Sequence, residues 1–323
     1  MKRAGVRCRM LRWAAAIVLV MAAAIVGGSF YMLDVSLGDL SGKDLAIRRQ
    51  MLANEAPDVA EWADSLKTCG IMCDTFMTTD DGQRLHAWYL FAPEKTDRTM
   101  MVLHGYTCNI YSSLKIARMF RDSLGLNLFL PEFHAHGESD GDVVRMGWKD
   151  ADDMLAWIPA LHHLFGCGDG KKARIAIQGV SMGASTAMNI SGKEHLDEIK
   201  CYIEDCGYTS VWDEFSHELK GRYGLPEFPI MYSSSALCKL LYGWSFGEAS
   251  SVEMVKRCSK PMLFIHGDND DFVPTRMVHT LYEAKPDNKT LWVTKGTDHA
   301  HSFRDYPKEY EQRVKAFLAL CGM

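Results

Sequence analysis

The chain has 323 residues, of which 47% are hydrophobic and 24% are charged, and its formal net charge is −5. This composition is typical of a folded globular protein and excludes collagen-like, low-complexity and wholly disordered chains. The length allows one large α/β domain or two smaller domains, and the negative charge gives no electrostatic reason to expect a nucleic-acid partner.

The N-terminus consists of a basic segment followed by an apolar one. Residues 1–12 carry five positive charges and no acid, which leaves a charge of −10 on the rest of the chain. Residues 13–33 contain no charged side chain, and a helix of that length crosses a bilayer core of about 30 Å. Because basic flanking segments stay in the cytoplasm, the sequence predicts a membrane anchor with the rest of the chain outside the cytoplasm.

Other interpretations of the apolar segment stay open. The small residues between Ala24 and Ser29 would suit cleavage of a signal peptide and secretion, although the apolar part of such signals is usually only about 7–15 residues long. A buried helix is the remaining alternative. Gly27 and Gly28 either form a helix-packing face or end the helix.

Nine of the ten cysteines lie beyond the anchor. An odd number leaves at least one thiol unpaired in an oxidising compartment. Most of them are expected to be buried as small apolar side chains. A Cys69–Cys73 or a Cys201–Cys206 bridge stays open.

The segments that follow predict an α/β architecture. Residues 34–74 predict lead-in or stalk helices, and a β-hairpin is predicted after them. Short apolar runs then alternate with amphipathic stretches, and strands are predicted at residues 100–103, 126–130, 175–180, 201–203, 261–265 and 291–293. Strands that alternate with helices in this way indicate a mostly parallel sheet covered on both faces.

Residues 209–251 interrupt this alternation. They are rich in aromatic residues and serine, and they predict a lid insertion over a site. The apolar side chains of this segment either line an acyl pocket or pack the lid on the core; they are Phe228, Tyr232, Leu241, Tyr242, Trp244 and Phe246.

The residues 179–183 fit the pattern Gly-x-Ser-x-Gly between a predicted strand and a predicted helix. A sharp strand-to-helix turn needs glycines because side chains at those positions would clash. Such a turn projects the Ser181 hydroxyl above the sheet as a nucleophile and leaves the Met182 amide at a helix N-terminus to stabilise an oxyanion. The alternative is a plain Gly/Ser turn.

A serine nucleophile needs a histidine base that is oriented by a carboxylate. Asp270 follows the predicted strand 261–265, and His299 follows the predicted strand 291–293. Both loops lie at the carboxyl ends of strands, where open α/β sheets build their sites. Rival acids and a rival base are close enough to remain open; they are Asp205, Asp268, Asp271 and His301.

A second oxyanion donor is expected after an earlier strand. His104, Gly105 and Tyr106 follow the predicted strand 100–103. Gly105 lets the backbone approach the substrate, and the Tyr106 amide is the expected donor. One such donor typically contributes about 10²–10³ to the rate.

Together these motifs resemble the α/β-hydrolase superfamily. Within it, the chain is similar to membrane-anchored bacterial serine hydrolases of the serine-aminopeptidase-like or BEM46-like branch. The resemblance covers about residues 75–321 and includes residues 136–141 and 205–208. It implies one α/β-hydrolase catalytic domain over residues 75–323.

The resemblance implies Ser181 as nucleophile, Asp270 as acid and His299 as base, with no cofactor and no metal. One position departs from the family pattern: Glu132 and His134 stand where the family commonly has an Asp and an Arg. This departure puts a structural ion pair at that place in doubt, but it leaves the triad unaffected.

The sequence therefore predicts a membrane-anchored serine hydrolase that cleaves an ester or related acyl bond of a small-molecule substrate. A peptidase with the same triad is the main alternative. A metallohydrolase built on the pairs His134/His136 and His299/His301 is less favoured, because the first pair lacks the Asp-His continuation of a binuclear zinc motif. A non-catalytic binding protein on a hydrolase fold is also less favoured, because binding needs no triad.

Overall fold

The computed structural model describes residues 2–167, 170–193 and 196–323, with side chains from residue 9 onward. The strands are β1 (Met72–Thr78), β2 (Arg84–Leu90), β3 (Arg98–Leu103), β4 (Asn127–Pro131), β5 (Arg174–Val180), β6 (Ile199–Asp205), β7 (Met262–Gly267) and β8 (Lys289–Thr294). The helices are α1 (Lys2–Leu37), α2 (Leu45–Glu55), α3 (Pro57–Thr68), α4 (Ile110–Arg118), α5 (Asp150–Ala156), α6 (Ile158–Phe165), α7 (Met182–Lys193), α8 (Val211–Tyr223), α9 (Ile230–Tyr242), α10 (Ser251–Val255), α11 (Arg276–Ala284), α12 (Ser302–Asp305) and α13 (Pro307–Leu320).

In the described part of the chain, eight strands form one sheet in the order β1-β2-β4-β3-β5-β6-β7-β8. Strand β2 pairs antiparallel with β1 and β4, and all other neighbours pair in parallel. Parallel neighbours need crossover connections, which the helices between β3 and β8 supply. The predicted α/β class with a mostly parallel, doubly covered sheet is confirmed.

The core lies on both faces of this sheet. Along β3, Met100 and Val102 point to one face, whereas Met101 and Leu103 point to the other, and all four are buried. A strand that is buried on both faces reads as a continuous apolar run. This is why the central strands were recognisable in the sequence.

The lead-in helices α2 and α3 share this core. Leu52 of α2 and the side chains of Val59, Ala63 and Leu66 of α3 are buried in the same cluster as Met72 of β1. The N-cap of α2 is formed by a carboxylate that accepts a hydrogen bond from the third helical amide. Helices α2 and α3 are thus packed onto the face of the sheet that also carries α4 and α13.

Helix α1 projects from the domain at one end and packs against it at the other. Its residues 9–24 are exposed, whereas Ser29, Met32, Leu33 and Leu37 are buried. The helix is apolar and long enough to cross a membrane, with a mean hydropathy of 2.2 in its most apolar window. It does not end at the glycine pair of residues 27–28 but continues to Leu37.

The segment between β6 and β7 contains α8 and α9. Here Trp244 and Phe246 are buried in the core, while Phe228, Tyr232 and Leu241 are exposed. Helix α9 lies against the C-terminal part of α1, where the hydroxyl groups of two serines, Ser29 and Ser233, hydrogen-bond at 2.6 Å. This segment therefore packs both on the core of the domain and against the apolar helix α1.

The cysteines of the two bridges left open by the sequence are free thiols in this structure. Cys201 and Cys206 are buried, and Cys69 is exposed. The Cys73 thiol donates a hydrogen bond to the carbonyl of Gly70. Neither the Cys69–Cys73 nor the Cys201–Cys206 pairing forms. Four of the nine cysteines beyond the anchor are buried, so the expectation that most of them are buried small apolar side chains is met only for Cys201, Cys206, Cys238 and Cys258.

Candidate active site

The site lies where the strand order reverses. The chain passes from β3 to β4 on one side and returns to β5 on the other side of β3, so the loops after β3 and β5 diverge. In open α/β sheets, the crevice at such a switch point is where ligands bind. Tyr106 lies in the loop after β3, and Ser181 directly follows β5.

The turn at Ser181 is held by close backbone packing. Ser181 has φ of 58°, in the left-handed region that side chains rarely adopt. A Cβ on Gly179 would lie 2.1 Å from the carbonyl carbon of Gly183, and a Cβ on Gly183 would lie 2.2 Å from the carbonyl oxygen of Leu103. Both glycines are therefore required by contact, and the predicted strand-to-helix turn is present between β5 and α7.

Ser181, His299 and Asp270 form a continuous chain of hydrogen bonds. His299 Nδ1 is 2.7 Å from Asp270 Oδ2, and His299 Nε2 is 2.9 Å from Ser181 Oγ. A carboxylate only accepts hydrogen bonds, so Nδ1 carries the proton and donates it to Asp270. Nε2 is then free to accept the hydroxyl proton of Ser181.

Several donors fix the Asp270 carboxylate. Oδ1 accepts hydrogen bonds from the amides of Phe272 and Val273, and His266 Nε2 lies 3.2 Å from Oδ2. Burial pushes the pKa of Asp270 upward, but the hydrogen bonds from His266 and His299 outweigh it and lower the pKa to about 2. The group is ionised throughout the neutral range, as a carboxylate that orients an imidazole must be.

His266 is a contact that the sequence reasoning did not single out. Its signal was present, because it directly follows the predicted strand 261–265 and precedes Asp270 by four residues. Its Nε2 also donates to the carbonyl of Val273 at 2.8 Å. His266 therefore stabilises the loop that carries Asp270.

In the described hydrogen bonds, none of the rival side chains contacts Ser181 or His299. The Asp268 carboxylate accepts a hydrogen bond from a backbone amide in the loop after β8, and the Asp271 carbonyl accepts one from a histidine of α8. Burial raises the pKa of Asp205 to about 6, and its carbonyl accepts the Ser181 amide at 2.8 Å. His301 accepts a hydrogen bond from an arginine of α12.

The two expected oxyanion donors flank the serine. Met182 is the first residue of α7, and the first amides of a helix have no acceptor within it. The loop after β3 lies over the nucleophile, since a Cβ on Gly105 would be 3.6 Å from Cβ of Ser181. The Tyr106 hydroxyl donates to the carbonyl of Ser36 in α1 at 3.0 Å, and burial raises the Tyr106 pKa to about 12.

A cavity of about 210 Å³ opens beside Ser181, and its walls are mostly apolar. Helices α1 and α8 supply most of the lining, rather than the aromatic cluster of the predicted lid. The lining residues are Gly28, Tyr31, Met32, Val35, Ser36, Tyr106, Met146, Ser181, Met182, Tyr208, Glu214, Phe215, Glu218, Leu219, Arg222, Tyr223, Leu225, Ile230 and Phe272.

Glu214 is an unexpected member of this lining. It is buried, and neither carboxyl oxygen has a hydrogen-bond partner among the described residues. Burial raises its pKa well above the usual range, and the negative charges of Glu218 and Asp270 raise it further. The sequence carried no signal for this, because an acid in the first turn of an amphipathic helix is ordinarily solvated.

His134 and His136, the first pair of the metallohydrolase alternative, both hydrogen-bond to backbone carbonyls. Burial lowers the pKa of both His134 and His136 to about 4, and His136 Nδ1 donates to the His134 carbonyl. Glu132 lies next to them, is buried, and accepts a hydrogen bond from His86 at 2.7 Å. The family pattern has an Asp–Arg ion pair at Glu132 and His134, and in this chain the Glu132–His86 pair occupies that place.

Two groups of side chains in the described residues are close enough to share a cation. One is Asp74, His86 and Glu138 on the side of the β1–β2 hairpin, and the other combines Cys206 with Asp270 and His299. The second group contains the acid and base already hydrogen-bonded to each other. The arrangement at Ser181 is thus suited to nucleophilic acyl transfer without any further group.

Known proteins share this architecture. The sequence pattern that describes the prolyl oligopeptidase family matches residues 141–321 of this chain. The Bacillus subtilis (strain 168) protein YqkD is 31% identical over 230 residues, which make up 71% of this chain and 74% of that protein. The uncharacterized membrane protein YNL320W of Saccharomyces cerevisiae is 25% identical over 221 residues, 67% of this chain and 69% of that protein.

A solved structure extends the likeness to three dimensions. The esterase Pf2001 of Pyrococcus furiosus superposes with a TM-score of 0.62 at 25% identity, covering 79% of this chain and 94% of that one. The chain therefore belongs to the prolyl oligopeptidase family and is a hydrolase with the α/β-hydrolase fold.

Proposed function

We propose that this protein is a serine hydrolase that cleaves carboxylic esters through an acyl-enzyme. Ser181 attacks the ester carbonyl while His299 Nε2 takes the hydroxyl proton. Asp270 holds the imidazole in the required tautomer and stabilises the imidazolium. His299 then passes the proton to the leaving alcohol, and a water molecule, activated by the same histidine, releases the acid.

The amides of Tyr106 and Met182 bind the oxyanion of the tetrahedral intermediate. Each such donor is typically worth about 10²–10³ in rate, because it is fixed in place before charge develops. Gly105 keeps the first amide close to the serine, and the N-terminus of α7 adds a favourable dipole at the second.

The observation that carries the proposal is the hydrogen-bonded chain Ser181–His299–Asp270, with distances of 2.9 and 2.7 Å. The mostly apolar cavity beside Ser181 supports an acyl substrate. The likeness to the esterase Pf2001 supports ester cleavage in particular.

The test uses the full-length protein in detergent micelles. We expect hydrolysis of p-nitrophenyl butyrate and labelling of Ser181 by a fluorophosphonate probe, both insensitive to EDTA. Ser181→Ala is expected to lower hydrolysis by about 10⁴-fold or more and to abolish labelling. Activity retained by Ser181→Ala, or lost with EDTA, would refute the assignment. A folded wild-type protein that neither labels nor turns over would indicate a binding protein.

A peptidase is the second candidate, and two observations favour it. The family itself is named for peptidases. In addition, the buried carboxyl group of Glu214 lines the cavity and has no hydrogen-bond partner among the described residues, so the ammonium end of a bound peptide would ionise it and pair with it. Comparing an aminoacyl p-nitroanilide with its p-nitrophenyl ester discriminates the two activities. A Glu214→Gln protein that loses activity on both aminoacyl substrates but keeps its activity on p-nitrophenyl butyrate would favour the peptidase.

We propose further that α1 anchors the protein in a membrane with the hydrolase domain outside the cytoplasm. The apolar segment and the basic residues before it support this orientation. Retention in the membrane pellet after alkaline carbonate extraction tests the anchor. Digestion of the domain by protease added to intact spheroplasts tests the orientation, and protection from that protease would reverse it.

A further inference from the structure

The free part of α1 is too short to fill a bilayer core. Between Arg12 and the first residue near the domain, Ile25, only residues 13–24 are exposed all round. Twelve helical residues rise about 18 Å, whereas the hydrocarbon core is about 30 Å thick. The remaining part of the core must be crossed by residues 25–33, which lie beside α9.

Placing the whole domain outside the hydrocarbon core would not remove this mismatch in length. To keep the domain clear of the core, the membrane-spanning part would have to begin about eight residues earlier, and Arg7, Arg9 and Arg12 would then lie within the hydrocarbon. Arginine at such depth is unfavourable. The first acid after the apolar segment, Asp34, instead marks where the helix leaves the core.

The exposed surface of α9 and of the loop before it is mainly apolar, with two charged side chains, Glu227 and Lys239, and so suits the edge of the bilayer. Leu240 is 81% exposed, Phe228 is 72% exposed and Tyr232 is 55% exposed. Tyr232 and Leu240 are eight residues apart and therefore lie on one face of the helix. The Phe228 and Tyr232 rings also contact each other, with centroids 5.9 Å apart. Aromatic side chains of this kind are enriched at the membrane interface.

Helices α1 and α9 connect this surface to the cavity. Tyr31, Met32 and Val35 of α1 line the cavity that contains Ser181, and Ile230 of α9 lines it from the other side. Gly28 also lies in this wall, where a Cβ would be 3.0 Å from Ile230 Cδ1. Residues of α1 and α9 on the membrane side of the domain therefore form the wall between the bilayer and Ser181.

From these observations we infer that α1 and α9 are immersed together in the bilayer surface, and that the cavity receives the acyl chain of an ester dissolved in the membrane. The inference rests on the proposed anchor and triad. It assigns the substrate class: long-chain acyl esters presented by a lipid bilayer, in preference to small esters in solution.

The test compares two substrates of one reaction. The full-length protein is reconstituted in phosphatidylcholine–phosphatidylglycerol vesicles and supplied with 4-methylumbelliferyl oleate in the bilayer or 4-methylumbelliferyl butyrate in solution. Leu240→Glu is expected to lower oleate hydrolysis by about tenfold or more, because a carboxylate on this exposed apolar surface opposes its insertion into the bilayer surface, and to leave butyrate hydrolysis unchanged.

Leu320→Glu is the matched control. Leu320 is 87% exposed and lies at the end of α13, so the same substitution is made at the same exposure away from the anchor. It is expected to change neither activity. Equal oleate activities of Leu240→Glu and Leu320→Glu would overturn the inference.

A second pair of variants tests the wall. Gly28→Leu places a side chain against Ile230 and into the cavity, whereas Gly27→Leu meets open space. Gly28→Leu is expected to lower the ratio of oleate to butyrate hydrolysis by about tenfold, a difference of 1.4 kcal/mol, and Gly27→Leu is expected to leave it unchanged. Equal ratios in the two variants would also count against the inference.

The outcomes separate this inference from the proposed function. A wild-type protein that cleaves neither ester refutes the serine hydrolase. A wild-type protein that cleaves butyrate through Ser181 but does not cleave the membrane-borne oleate leaves the hydrolase standing and refutes the membrane substrate.

Discussion

Two regions enclose the cavity, and they are built by different forces. The floor consists of the loops after β3, β5, β7 and β8, which carry the proposed site residues Tyr106, Ser181, Asp270 and His299. It is fixed by short hydrogen bonds and by glycines that admit no Cβ. The roof consists of α1, α8 and α9, which meet mainly through apolar side chains.

This difference indicates what each region determines. Because a displacement of about 1 Å costs a catalytic site much of its rate, the floor must be rigid, and its hydrogen bonds supply that rigidity. Apolar contacts are less directional and allow the roof to be shaped to a substrate. We therefore expect changes in the floor to affect every substrate alike and changes in the roof to discriminate between substrates.

The largest effect is expected at the acid of the floor. Asp270→Asn keeps an oxygen that accepts from the amides of Phe272 and Val273, so the loop is expected to remain folded. The new amide group donates to His299 Nδ1 and reverses the tautomer, so Nε2 no longer accepts the serine proton. We expect kcat to fall by about 10⁴-fold for all esters, as measured by steady-state kinetics.

Asp268→Asn and Asp271→Asn serve as controls for this change. Both acids lie in the same loop, and neither carboxylate contacts His299 in the described hydrogen bonds. Each variant is expected to keep kcat within about threefold of the wild type, as is usual for surface substitutions. An Asp270→Asn protein with more than a tenth of the wild-type kcat would show that the floor does not depend on this pair.

A smaller effect is expected where the roof touches the floor. The Tyr106 hydroxyl donates to the Ser36 carbonyl of α1, and its raised pKa keeps the proton in place across the neutral range. Tyr106→Phe removes a hydrogen bond worth about 1 kcal/mol, which corresponds to about fivefold in rate if all of it positions the oxyanion loop. We expect kcat to fall for butyrate and oleate alike, with KM unchanged.

If Tyr106→Phe lowered only the oleate activity, Tyr106 would act like a residue of the roof, which discriminates between substrates. Unchanged kinetics with a lower melting temperature would mean that the hydrogen bond only stabilises the fold. Tyr111→Phe is a suitable control, because this tyrosine lies on α4 and packs against Trp88 away from the cavity.

The floor was predictable from the sequence because its determinants are mostly local. Gly179 is needed by a contact with Gly183, four residues away, and Gly183 by the Leu103 carbonyl at the end of the neighbouring strand β3. Asp270 and His299 each lie in the loop after an apolar strand. Parallel strands bring such loops to one edge of a sheet, so the order of motifs along the chain was enough to place them together. The roles of these residues stay a prediction until the variants above are measured.

The roof was not predictable in the same way. Ser36 and Tyr106 are 70 residues apart, and Ser29 and Ser233 are 204 residues apart, so no local pattern reports their contact. The aromatic residues of the lid segment were equally compatible with a pocket and with packing. Whether a given apolar side chain faces the cavity or the surface depends on how α1 crosses α9, which only the folded chain defines.

The last prediction concerns Glu214, the buried carboxyl group of the roof. Its pKa is raised by burial first and then by Glu218 and Asp270, while Arg222 and Arg276 oppose this. The folded state therefore keeps a proton that the unfolded state loses above about pH 4.3, so stability falls as the pH rises from there through the folded pKa. Glu214→Gln removes this loss.

We expect Glu214→Gln to melt at a higher temperature than the wild type at pH 8, and the advantage to shrink toward pH 5. The gain at pH 8 is expected to be about 1–3 kcal/mol, the range for a buried polar group without a partner. Glu218→Gln is the control, because Glu218 lies one turn further along α8 and is already paired with Arg222. Glu218→Gln is expected to melt no higher than the wild type. If Glu214→Gln showed the same melting difference at both pH values, Glu214 would be ionised in the folded protein and the roof would contain a charge paired with its surroundings.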